Sequence, residues 1–401
     1  MSARRDSVAL GVASVVNGVT AYAIVVVASR GLETPGFAAF SVAWSLWALS
    51  VALLVFPIQH WIIWRSAVDQ GTSGVRSALP RVVGLIVVVM AALWWAGSSQ
   101  RLFPTEGAWG PILAVIGATS ALLGMGRGSL GAGNRYRDVA WVLGSENSLR
   151  LVALFAVLAV TVDAQIAVLT LAVGVLALVP FVRHLRLHAG GQSGDVNVLA
   201  ELGALAGAMA LAQVLVQFPP AFAEWLGESP EAVSAIFATF SLGRAPLLVI
   251  LAVSARLTDP LTRFLSGPDA RVRRTLARVI PVMAAVVAIA GLLGYLIGPQ
   301  LVTWLFGPGR ALGAGATALI SAGLALASAG VVVTLGLMVK GSNRLAALYW
   351  LVALLVAVVS ALLGVGVPMS FFIAEMLAVT AGTATLWSQA IRPQLSAESS
   401  R

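Results

Sequence analysis

Glu146, Asn147 and Arg150 stand within "LGSENSLRLVALF" (143–155), a stretch that otherwise reads as one apolar helix. Ionisable groups at membrane depth cost about 2.5 kcal/mol or more, so they line a water-filled path or pair with one another. Glu146 precedes Arg150 by four residues, on one helical face and in the favourable order for an ion pair. Two chemistries fit that spacing. Either the pair is structural, or Arg150 binds an anion while Glu146 takes up a proton. Arg244 is a second arginine inside an apolar run, and it has no carboxylate within a turn on its own helix. Pro246, two residues on, predicts a kink and an unpaired carbonyl. Two arginines cannot neutralise each other. They ask for an anion between them, and guanidinium geometry suits phosphate oxygens.

Other polar groups in apolar runs divide more evenly. Asn17 sits in the first run and, with Asn147, offers an amide to sugar hydroxyls. Glu375, a lone carboxylate in the last run, reads as a proton carrier or as a hydrogen-bonding group to a neighbouring helix. Gln213 and Gln217 suit interhelical bonding, and His60 in "FPIQHWIIW" suits a structural role. The absences narrow the chemistry further. There is no cysteine, the sole lysine (Lys340) is followed by Gly341 and forms no Walker A loop, and no paired-histidine or nucleophile-elbow motif occurs. No catalytic residues, resident cofactor or metal are expected.

The elements that must position these groups are helices across a bilayer. With 59% hydrophobic residues, 10% charged and a mean hydropathy of +0.95, the 401-residue chain is not a soluble globule. Its apolar runs do not alternate as β-barrel strands would. They predict an all-α polytopic membrane protein of twelve spans: 8–29, 37–62, 82–97, 109–125, 139–161, 165–182, 200–221, 232–253, 279–298, 315–338, 345–363 and 368–391. Arg4 and Arg5 before the first run imitate a signal peptide, but the run is long enough to span and is read as a retained helix. Over this segmentation 20 basic residues fall inside and 3 outside, so both termini are expected in the cytoplasm. The net charge of +9 then follows orientation, and no nucleic acid is implied. At about 1.5 Å per residue, Arg150, Arg244 and Asn17 all lie roughly 15 Å from the inner surface. Arg271, Arg273, Arg274 and Arg278 in the inner loop suit contact with anionic membrane lipids.

An internal repeat divides the chain. Glu33-Thr34-Pro35 and Glu228-Ser229-Pro230 share a pattern at an offset of 195 residues, each ahead of the second helix of a six-helix half. Six spans per half implies parallel repeats with a site between them near the midplane. The expected organisation is an N-terminal lobe at 1–184, a Gly/Ser-rich cytoplasmic linker at 185–199 and a C-terminal lobe at 200–401.

"GRGSLGAGNRYRDVAWVLGSENSLRLVALF" (126–155) resembles the fourth-to-fifth-span signature of bacterial polysaccharide flippases. "LETPGFAAFSVAWSL" resembles their entry to span two, and "LGRAPLLVILAVSARLTDPL" their span eight. These are members of the multidrug/oligosaccharidyl-lipid/polysaccharide (MOP) superfamily, and the resemblance covers most of the chain. It implies two six-helix MATE-like lobes, a cationic cavity and alternating access that turns a lipid-linked saccharide from the inner to the outer leaflet of the bacterial cytoplasmic membrane. Arg150 and Arg244 map onto the cavity cations, with Asn17 and Asn147 as further substrate ligands. Glu146 and Glu375 are assigned to coupling to a proton or ion gradient, and Arg127, Arg135 and Arg137 to the cytoplasmic mouth. Partners would be the lipid-linked saccharide, membrane lipids and other polysaccharide-assembly proteins. Lipid II flippases carry extra helices and arginines in the first span, where this chain has Asn17; that departure points away from lipid II. The alternatives are a multidrug exporter of the same superfamily, which would want a negative cavity, and a membrane-embedded glycan ligase or polymerase, which would want a large outside loop.

Overall fold

The computed structural model describes residues 2–68, 73–99, 101–185, 211–244, 247, 261, 264, 265 and 269–389. These are helical nearly throughout, with no strand among them. Among the described residues ten helices are long and apolar enough to cross a membrane: Val8–Gly31, Thr34–Ser66, Leu79–Ser98, Trp109–Ala132, Tyr136–Leu158, Ala164–His184, Arg271–Phe306, Ala314–Val339, Arg344–Leu362 and Val367–Gln389. They fall on expected spans one to six and nine to twelve. Expected spans seven and eight (200–221 and 232–253) lie partly outside the described residues. So do nearly all of the 185–199 linker, Pro246, most of the 254–278 loop and the C-terminal tail.

We label the helices α1 (Ser2–Gly31), α2 (Thr34–Ser50), α3 (Phe56–Val68), α4 (Ser73–Ser98), α5 (Trp109–Ala132), α6 (Tyr136–Leu158), α7 (Ala164–Leu169), α8 (Pro219–Trp225) and α9 (Pro230–Gly243). They continue as α10 (Asp269–Phe306), α11 (Ala314–Val339), α12 (Asn343–Leu362) and α13 (Val367–Gln389). A π-helical turn, Val51–Val55, joins α2 to α3, and a 3-10 helix, Thr170–His184, continues α7. The Glu-(Ser/Thr)-Pro repeats both start helices. Pro35 occupies the first turn of α2, and Pro230 begins α9, where the Ser229 hydroxyl accepts from the Ala232 amide (3.3 Å). Proline suits that position because its missing N–H has no intrahelical acceptor there. Asp163 caps α7 by accepting from the Gln165 (2.7 Å) and Ile166 (3.2 Å) amides. Buried serines turn back onto their own helix: Ser41 donates to the Phe37 carbonyl (2.7 Å) and Ser45 to that of Ser41 (2.9 Å). Helix α10 leaves Val282, Ile289, Leu292, Leu296 and Trp304 exposed, an apolar surface that a bilayer would cover.

The chain forms two compact units. One comprises Met1–Gln213, Gln217–Ala238 and Trp304–Arg310; the other Val214–Val216, Thr239–Thr303 and Ala311–Arg401. These boundaries follow packing rather than the sequence halves. In the first unit Phe237 of α9 packs on Phe37 and Trp44 of α2, with ring centroids 5.7 and 6.5 Å apart. Ser234 donates to the Thr34 carbonyl (3.4 Å), so the two repeat-bearing helix starts meet. Arg310 donates to the Leu32 carbonyl (3.1 Å) and lies over the Phe37 ring (4.7 Å), while Arg30 donates to the Leu305 carbonyl (2.8 Å). Burial holds the Arg310 guanidinium below the usual arginine range, and the Glu231 charge opposes that shift.

Helix α5 is central to the first unit because it packs on α3, α4, α6 and the 3-10 helix. Gly124 permits its approach to the π turn. A Cβ there would lie 2.9 Å from the Val55 carbonyl oxygen and 3.0 Å from Val55 Cα, and neither backbone atom can swing aside. Gly124→Val should therefore lower stability by about 1–3 kcal/mol, read as a fall in melting temperature in detergent. Gly84→Ala is the control. Its Cβ would meet nothing within 4 Å, so no loss is expected.

In the second unit α13 packs along α11 and α12. Phe240 meets Phe371 edge-to-face at 4.7 Å, and the Trp350 indole donates to Thr334 Oγ1 (2.9 Å).

Candidate functional site

Helix α6 turns Glu146, Asn147 and Arg150 onto its packed face together with Val139, Val142 and Leu154. This polar face is buried because α1, α5 and the 3-10 helix enclose it. Glu146 forms an ion pair with Arg127 of α5 and lies 3.9 Å from Arg150 Nη1. Arg150 Nε donates to the Leu171 carbonyl (2.8 Å) and Nη1 to Asn147 Oδ1 (2.6 Å). Its guanidinium stacks over Trp47, 4.9 Å from the ring centroid, and a side chain on Gly174 would collide with it. Asn147 in turn donates to the Asn17 backbone carbonyl (3.1 Å), while Asn17 Oδ1 is buried without a hydrogen-bond partner among the described residues.

The cluster holds two guanidinium groups and one carboxylate. Arg127 is 3% exposed, Glu146 6% and Arg150 2%, so solvent screens none of them. One positive charge is left over. Arg127 Nε has no hydrogen-bond partner among the described residues. Arg127 thus differs from the two arginines with which the sequence groups it at the cytoplasmic mouth. It lies five residues before the end of α5 at Ala132, roughly 7 Å by helical rise, and points inward to Glu146. Arg135 pairs locally with Asp138 (2.5 Å), and the exposed Arg137 reaches Asp6 (3.2 Å).

The second unit contains the other two sequence candidates. Arg244 follows α9, is buried, and donates through Nη2 to the Val216 carbonyl (2.5 Å); its Nε is unpartnered among the described residues. Its guanidinium lies 5.7 Å from the Phe240 ring centroid. Glu375 is fully buried in α13, and neither carboxyl oxygen has a hydrogen-bond partner among the described residues.

Several participants carried no signal in the sequence. Trp47 is one of many aromatic residues in apolar runs, and the Leu171 and Val216 carbonyls are backbone groups. The 3-10 winding of Thr170–His184 stretches about 2.0 Å per residue, against about 1.5 Å for an α-helix, and such long runs are uncommon. It brings both Leu171 and the side-chain-free Gly174 to Arg150.

No family model matches the sequence, and no curated protein matches it. Solved structures share the fold. An inward-facing multidrug resistance MATE family transporter of the MOP superfamily superposes with a TM-score of 0.66 at 17% identity, covering 94% of each chain. An outward-facing structure of such a transporter gives 0.64 at 14% identity, over 96% of this chain and 95% of that one. The lipid II flippase MurJ, inward closed, gives 0.64 at 10% identity, over 96% of this chain and 90% of that one. The chain is thus an all-helical, polytopic membrane protein. Its fold is that of the MATE transporters of the MOP superfamily and of MurJ.

Proposed function

We propose that the protein is an alternating-access flippase for an anionic lipid-linked saccharide, a polyprenyl-pyrophosphate-linked sugar or related glycolipid. It acts in the bacterial cytoplasmic membrane with both termini inside. The single observation that carries the reading is Arg244: a buried cation with no carboxylate partner among the described residues, and with donor capacity left on Nε. The Arg127–Glu146–Arg150 cluster, one positive charge in excess, supports the same sign of cargo. Arg244 in one unit and Arg150 in the other are each read as phosphate ligands, Asn17 and Asn147 as sugar ligands, and Arg135 and Arg137 as attracting the head at the cytoplasmic mouth. Glu146 and Glu375 couple the cycle to a proton or ion gradient. The fold neighbours include a lipid II flippase and multidrug transporters, so an exporter is the second reading. A cationic drug would be repelled by Arg244 and by the net positive cluster.

The test is reconstitution in vesicles with a lipid-linked oligosaccharide in the inner leaflet. Exposure of its sugar to a membrane-impermeant glycosidase should rise when a gradient is imposed. Efflux of a cationic dye without sugar translocation would overturn the reading in favour of the exporter.

A further inference from the structure

Two buried groups of opposite charge in the second unit lack a charged partner among the described residues, and their backbones share a layer. Phe240 and Phe371 touch; Gly323 of α11 lies against the Phe371 ring, and Gly243 against Leu324. Arg244 is four residues beyond Phe240, and Glu375 four beyond Phe371. In the twelve-span reading of the sequence, α9 opens the eighth span and α13 is the twelfth, so they run in the same direction. Both charges therefore fall about one turn past the same aromatic contact. Packed helix axes stand about 8–10 Å apart, a gap that an arginine and a glutamate side chain can close together.

Among the described residues, α11 and α12 supply no other countercharge to Glu375 at this level. Helix α11 has no ionisable residue, and α12 brings Arg344 and Tyr349. The Tyr349 hydroxyl bonds to Thr385, and Arg344 lies near the level of Gln389, which donates to Ser342 (2.7 Å). That level is roughly 21 Å from Glu375 by helical rise. Arg244 meanwhile turns to the Val216 carbonyl. Two orphaned opposite charges are costly apart and much less so together.

We propose that Glu375 is the internal partner of Arg244, and that the guanidinium exchanges between the Glu375 carboxylate and the cargo's anionic head. The Val216-facing rotamer is the cargo-ready one. Glu375 takes the guanidinium back after release, so the resting cation is not left uncompensated through the return step. This rests on the reading of Arg244 as the head-group ligand.

The test is a double-mutant cycle on the full chain, read by melting in detergent without cargo. Arg244→Glu and Glu375→Arg should each destabilise by placing like charges in one layer. The exchanged double variant should recover at least about half of the summed loss. Additive losses would overturn the pairing. If the reversals do not fold, Arg244→Gln, Glu375→Gln and the double serve instead, with the same criterion of non-additivity. The second arm repeats the cycle with a short prenyl pyrophosphate at a concentration that shifts wild-type melting. The coupling should fall at least about threefold; unchanged coupling would overturn the exchange. Absence of any wild-type shift would refute the anionic-cargo reading and with it the exchange, while the pairing arm would still stand or fall by itself.

Discussion

Glu146→Gln should be the most damaging single substitution in the ion cluster, costing about 3–5 kcal/mol of stability. The carboxylate pairs with Arg127 and stands 3.9 Å from Arg150, so its loss leaves two buried like charges facing each other. Arg127→Gln or Arg150→Gln leaves one guanidinium with one carboxylate and should cost less, the second mainly through the lost stack on Trp47. The double variant Glu146→Gln/Arg150→Gln separates a pair from a triad. A simple pair would recover wild-type stability, whereas the triad strands Arg127 and the variant stays impaired. Adding Arg127→Gln to that double should restore most of the loss, because no buried charge then remains in the cluster. Melting of the five variants in detergent decides the matter. Full recovery in the double would show that Arg127 contributes nothing to the balance.

Arg244→Ala should abolish translocation while leaving the protein folded. The variant should melt somewhat below wild type, because the proposed resting partner Glu375 is left alone, but it keeps its fold. If the guanidinium holds the phosphate head, each charge-assisted bond lost is worth about 1.5–3 kcal/mol, or roughly 10- to 150-fold in transport at limiting cargo. Arg244→Lys should recover only part of the activity, because an ammonium presents no planar fork to two oxygens. Glycosidase accessibility in vesicles measures the rates, and detergent melting checks the fold. Wild-type translocation by the alanine variant would remove the anion site.

Local pattern was enough for the class of fold, because hydrophobic length and helix-start chemistry are written along the chain. Within the described residues ten of the twelve apolar runs are ten long helices, and Glu33-Thr34-Pro35 and Glu228-Ser229-Pro230 both lie at helix starts. The shared face of Glu146 and Arg150 was equally legible, since residues four apart on a helix must be neighbours. The partners across helices were not. Arg127 reads as a loop-proximal arginine until the rotation of α5 aims it at Glu146, and Arg244 reads as a free cation until its rotamer finds the Val216 carbonyl. Trp47, Leu171 and Gly174 enter the site only through the stack of α2, α6 and the 3-10 helix. Phe237 joins the first unit because its ring finds Phe37 and Trp44, a contact across some 200 residues. Periodicity fixes which residues share a face of one helix. How far each helix is turned and shifted against its neighbours is set by the packing of all of them together, and one-dimensional spacing carries no record of it.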